Sequence, residues 1–274
     1  MDTQRRWGIA PFVLAALALA ALACDSGQSV PVATATPTLE PGGVYLALGD
    51  SIAAGQGASA AANTGYVALV AEALRSRFGP TLELQSLAVG GHTTQDLIDE
   101  QLAQAVARLQ EGDVRVVTIT IGGNDLYQYS SEAICIRDPA NPACPLEDGL
   151  LAVEQRLDRI LGELRAAGPE AIIIIQAFPN LFSGTGDRQL GGVMVFEQAA
   201  QTAFDLLDGV IIGVARRNDI LVADPRAAFD GRGGELGHLL DPEPDAHPND
   251  AGYRVIAAAF LETLGLSIED EETN

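Results

Sequence analysis

The 274 residues suffice for one large domain or two small ones, with a sizeable buried core. Hydrophobic residues at 47% and charged residues at 19%, with no Gly-X-Y or heptad repeat, exclude a disordered or fibrous chain. The basic residues number 16, all arginine, against 37 acidic, and the net charge of −21 argues against nucleic acid and against charge-driven membrane adsorption.

The chain opens with Arg5 and Arg6, an apolar stretch from Ile9 to Ala23 broken by Pro11, and then Cys24. This is the layout of a signal peptide over residues 1–23, short for a membrane-spanning helix. Ala21-Leu22-Ala23-Cys24 resembles a bacterial lipobox, with Ala in the first position where Leu is usual; the same segment also reads as an A-x-A cleavage site. Cysteine arithmetic favours lipidation of Cys24. Cys135 and Cys144 lie close enough to close a small loop in an oxidising compartment, which leaves Cys24 as the odd thiol. The same spacing supplies too few ligands for a zinc site, so no metal is expected. Residues 24–43 are rich in Ser, Thr, Pro and Ala and read as a flexible linker; residues 267–274 read as an acidic tail.

Between these lies one domain, residues 44–266. Short apolar runs at Val44–Leu48, Leu82–Leu87, Val114–Ile121, Ala171–Gln176 and Ile220–Ala223 predict five strands. Helical periodicity fills Tyr66–Phe78, Thr94–Leu109, Leu146–Ala167, Val193–Arg217 and Asp250–Leu264. Alternation of this kind implies an α/β fold whose parallel sheet is covered on both faces. Tyr127–Pro145 reads as an inserted loop containing the Cys135–Cys144 bridge.

Ligands in such sheets bind beyond the carboxyl ends of the strands. Four clusters fall at such places: Gly49-Asp50-Ser51, Gly90-Gly91-His92-Thr93-Thr94, Gly122-Gly123-Asn124-Asp125 and Asp245-Ala246-His247-Pro248-Asn249. Ser51 directly follows the first strand and needs a base to become nucleophilic; of His92, His238 and His247, only His247 opens a final helix. The Gly91 N–H and the Asn124 amide can join the Ser51 N–H in stabilising an oxyanion. Each cluster alone also has a bland reading as a cap or a tight turn. Their joint arrangement does not.

The four clusters resemble the sequence blocks of the SGNH (GDSL) hydrolase superfamily. The resemblance implies a three-layer α/β/α sandwich, flavodoxin-like, with a five-stranded, mainly parallel sheet. It implies Ser51 as nucleophile, Gly91 and Asn124 as oxyanion donors with Ser51, and His247 as base. The family commonly carries Asp three residues before the His; here that position is Pro244, and Asp245 stands two before. Asp245 is the first choice as orienting acid, Asp241 the second, and a backbone carbonyl the third. His92 and Tyr127 with Tyr129 are pocket-border or plain loop residues, His238 is structural or exposed, and Asp50 and Asp125 hold loop backbone. Gly55-Gln56-Gly57-Ala58-Ser59-Ala60 matches G-x-G-x-x-A, but it lies too far beyond the first strand for a dinucleotide fingerprint and reads as a Gly/Ala loop.

The expectation is an exported, lipid-anchored serine esterase without cofactor, acting on small-molecule, lipid or glycan esters. It touches the membrane through its anchor, and the sequence leaves its oligomeric state open. Within the superfamily, thioesterase, lysophospholipase and carbohydrate O-deacetylase activities stay open. A non-catalytic surface binding module on the same fold is the alternative.

Overall fold

The structure, a computed structural model, describes residues 42–127, 129, 135 and 137–268. The signal peptide, Cys24, nearly all of the linker and residues 269–274 of the acidic tail lie outside them. Five parallel strands form the central sheet: β1 (Val44–Gly49), β2 (Glu83–Ser86), β3 (Val114–Thr120), β4 (Ile172–Gln176) and, after two short ribbon strands described below, β7 (Leu221–Ala223). Their order is β2-β1-β3-β4-β7, the doubly wound arrangement in which the chain reverses direction between β1 and β3. All six residues of β1 are buried, as a strand covered on both faces requires, so it reads VYLALG without polar alternation.

Two helices, α1 (Tyr66–Phe78) and the C-terminal α5 (Asp250–Thr263), pack together on one face, with Tyr66 and Phe260 stacked at 4.9 Å. Three cover the other: α2 (residues 94–110), α3 (Leu146–Ala167) and α4 (Glu197–Arg217). Helix α2 carries a wider π turn at Leu97–Gln101. The predicted α/β/α sandwich is the observed one.

One predicted helix begins too early. Val193–Val195 forms strand β6, paired antiparallel with β5 (Arg188–Leu190), and helix α4 starts only at Glu197. Between them Gly191 and Gly192 both have positive φ, 55° and 84°, the backbone a tight hairpin turn needs and a Gly-Gly pair supplies. A second ribbon pairs β8 (Gly237–His238) with β9 (Asp245–Pro248). Cys135 and Cys144 form a disulfide with Cα atoms 5.2 Å apart. No helix among the described residues is long and apolar enough to cross a membrane.

Candidate active site

β1 ends in a residue that can only be glycine. Gly49 has φ +135°, and a Cβ there would lie 2.0 Å from the Thr120 carbonyl oxygen. This close approach presses the end of β1 onto the end of β3, and the Asp50 N–H extends the contact by donating to the same Thr120 oxygen at 3.0 Å. The chain then turns, leaving Ser51 9% exposed at the rim while the Asp50 carboxyl faces inward and accepts the Ile52 N–H at 2.9 Å. Burial pushes Asp50 up to about 7, against the pull of the Ile52 and Ala53 N–H groups.

Ser51 Oγ lies 2.8 Å from His247 Nε2, and His247 Nδ1 lies 2.6 Å from Asp245 Oδ1. Strand geometry explains the two-residue spacing: in the extended stretch Asp245–Pro248, residues two apart point to one side. Of the two candidate acids, Asp245 thus meets His247, whereas Asp241 meets His238 Nδ1 at 2.6 Å. The other nitrogen of His238, Nε2, lies 2.8 Å from the Gly57 carbonyl oxygen. The partners raise the His238 pKa, although the largest influence, burial, opposes them. His238 therefore fastens the loop after Ser51 to the ribbon that carries His247. Gly57, at φ +89°, likewise leaves no room for a side chain, because a Cβ would come within 2.7 Å of the Pro248 carbonyl and 2.8 Å of His247 Cβ. Of the glycines in the Gly55–Ala60 stretch, Gly57 thus serves close packing against the histidine strand, while Gly55 packs against Ala61. Behind His247, Asn249 caps α5 by accepting the Gly252 N–H, and Asp250 accepts the Ser59 N–H at 2.8 Å.

Asn124 stands just after β3, in the short helix Gly123–Tyr127, and its Nδ2 donates to the His92 carbonyl at 2.9 Å. One amide hydrogen remains for another acceptor. Gly91 takes φ +83° with no atom within 4 Å of where a Cβ would be, and the neighbouring Gly90 passes alongside Ser51 Cβ. The turn continues into Thr93, which forms a capping box with Asp96, and Thr94, whose N–H and hydroxyl both donate to buried Asp125. Burial raises Asp125, while Thr94 and Arg156 lower it.

Ser51, Asn124 and His247 lie at the polar end of a cavity of about 460 Å³. The rest is apolar. Phe178, Phe182 and Phe204 form one wall, with stacked centroids 5.7 and 6.4 Å apart, and the β5–β6 hairpin contributes Leu190, Val193 and Val195. Helix α4 presents Ala199, Ala200 and Ala203, whose small side chains leave the space open. Tyr127 and Tyr129 line it too, Tyr127 with 64% exposure. His92 does not. It is 9% exposed, with Nδ1 against Gln101 and Nε2 3.6 Å from Glu100. Sequence reasoning missed the phenylalanine wall, the hairpin and Gln101, the last signalled by a polar side chain on the apolar stripe of α2.

Among the described residues, no group of three or more His, Cys, Asp and Glu is arranged to hold a metal ion. The Asp245–His247–Ser51 series can take a proton from the serine hydroxyl and hold the resulting imidazolium. A carbonyl carbon above Ser51 would lie at the mouth of a largely hydrocarbon-lined space.

Comparison with known proteins agrees with this chemistry. A family model, GDSL-like lipase/acylhydrolase, matches residues 47–255. Among solved structures, the extracellular lipase of Streptomyces rimosus superposes with a TM-score of 0.60 at 22% identity, over 81% of this chain and 98% of that one. Phospholipase A1 of Streptomyces albidoflavus gives 0.58 at 24% identity, over 82% and 98%. The acetylxylan esterase Axe2 of Geobacillus stearothermophilus gives 0.57 at 22%, over 85% and 99%. Curated proteins gave no match. These neighbours share the fold, and the family match carries the reaction class: the chain belongs to the GDSL-like lipase/acylhydrolase family, a family of serine ester hydrolases.

Proposed function

We propose that the protein is an exported, lipid-anchored esterase that cleaves carboxylic esters of apolar acyl chains through an acyl-enzyme. The observation that carries this reading is a 2.8 Å contact between Ser51 Oγ and His247 Nε2 at the mouth of a 460 Å³ apolar cavity. Ser51 Oγ attacks the ester carbonyl while its proton passes to His247 Nε2, and Asp245 holds the Nδ1–H and stabilises the imidazolium. The oxyanion accepts from the Ser51 and Gly91 N–H groups and from the free Asn124 amide hydrogen. His247 then protonates the leaving alcohol, and water repeats the sequence to release the acid.

The cavity is far larger than an acetyl group needs and its described lining is mainly apolar, which favours an acyl chain over a carbohydrate acetate. Export and anchoring rest on the Arg5–Ala23 layout and on Cys24, whose two possible partners are bonded to each other. A p-nitrophenyl ester panel from acetate upward tests the substrate: kcat/KM rises with chain length until the cavity is full. A maximum at acetate would replace this reading with O-deacetylation, and no turnover with any ester would leave a binding module. Radioactive palmitate labels the wild type and not Cys24→Ala; an unlabelled wild type removes the anchor.

A further inference from the structure

Gln101 ends the π turn of α2, is 1% exposed and has every polar position of its carboxamide engaged. Oε1 accepts the Gly49 N–H at 2.9 Å; Nε2 donates to the Gly49 carbonyl at 2.8 Å and to His92 Nδ1 at 3.0 Å. π turns of this kind recur near functional sites. The partners are the informative part. Gly49 lies two residues before Ser51, and His92 directly follows Gly91 while its carbonyl holds the Asn124 amide at 2.9 Å. A single buried side chain on a helix that does not reach the cavity therefore bridges the loops that carry the Ser51 and Gly91 donors, and the second of these loops holds the Asn124 amide through the His92 carbonyl.

We infer that Gln101 is a positioning residue for the oxyanion donors: it fixes the nucleophile turn and the Gly91–His92 turn relative to each other, so that the Ser51, Gly91 and Asn124 donors converge. The inference rests on the mechanism proposed above. Because the bond to Nδ1 is donated by Gln101, His92 carries its proton on Nε2 and its ring is held from the Nδ1 side. The oxyanion develops only in the transition state, so loosening its donors lowers kcat and leaves KM in place.

The experiment is a double-mutant cycle on a p-nitrophenyl ester. Gln101→Met keeps the volume and removes all three bonds; its kcat falls roughly tenfold or more at unchanged KM in the wild-type background. Asn124→Ala alone costs on the order of a hundredfold. Added to Asn124→Ala, Gln101→Met costs less than it does in the wild-type background, since one of the three donors it positions is already gone. Multiplicative losses, or an unchanged kcat in folded Gln101→Met, overturn the inference. If Gln101→Met does not fold, His92 decides. His92→Asn, whose Oδ1 takes the place of the Nδ1 acceptor, recovers most of the kcat lost in His92→Ala, and equal rates in the two variants overturn the inference as well. Wild-type turnover abolished by Ser51→Ala separates this outcome from failure of the proposed function, which shows as no turnover at all.

Discussion

Filling the cavity from the α4 side should shorten the acyl chains the enzyme accepts without touching its chemistry. Ala203 is half-buried and faces the open volume beside Phe204 and Ala200. Ala203→Leu adds about three carbon atoms to that space and displaces about as many methylenes of a bound chain. At about 0.8 kcal/mol per methylene, the transition state of a long ester loses roughly 2 kcal/mol, or some thirtyfold in kcat/KM. An acetate ester, which does not reach helix α4, loses nothing measurable. The assay is the ratio of kcat/KM for p-nitrophenyl dodecanoate to that for p-nitrophenyl acetate, with thermal unfolding as control. The added atoms enter the cavity and displace no packed side chain, so the unfolding temperature stays within a few degrees. An equal loss on both esters, or an unchanged ratio in a folded variant, would refute the assignment of this cavity to the acyl chain.

Two further substitutions separate the acids around the histidines. Asp245→Asn removes the carboxylate that meets His247 Nδ1 at 2.6 Å and should lower kcat by about three to four orders of magnitude, whereas Asp241→Asn, on His238, should leave kcat within about threefold; equal effects would contradict the assignment. Buried Asp50 and Asp208 are each raised to about 7, so the folded state holds protons that the unfolded chain gives up near pH 4, and stability falls as pH rises from about 4 to about 7. Asp50→Asn keeps an oxygen for the Ile52 N–H and should flatten that fall by up to about 4 kcal/mol in denaturant unfolding at pH 4 and pH 8; an unchanged slope would place the proton elsewhere.

How much of this was legible depended on how local each signal is. All five sheet strands fall where short apolar runs predicted them, and helices Tyr66–Phe78 and Leu146–Ala167 end at the predicted residues, because amphipathic period and flanking Gly residues are local properties. Val193–Val195 is too short for its alternation to outweigh the helical pattern that follows, and the decisive cue, Gly191-Gly192, lay outside the window. At the site, three clusters could be placed at strand ends and the fourth before the last helix from order alone. Which acid meets His247 could not, because it turns on β9 being extended, and β9 is held by a pairing with β8 that no local pattern announces. Gln101 was hidden for a related reason: a polar residue on an apolar stripe signals a buried partner without saying which one. The acyl cavity was the least accessible, since its walls come from the hairpin, helix α4 and the loop after β4 at once.

The central claim is that Ser51 is a nucleophile activated by His247. A fluorophosphonate probe, followed by intact-mass and peptide mass spectrometry, tests it most directly. The account predicts one adduct, on Ser51, formed at a rate that drops sharply in His247→Ala and lost in Ser51→Ala. A folded wild-type protein left unlabelled, or labelled on another residue, would contradict it.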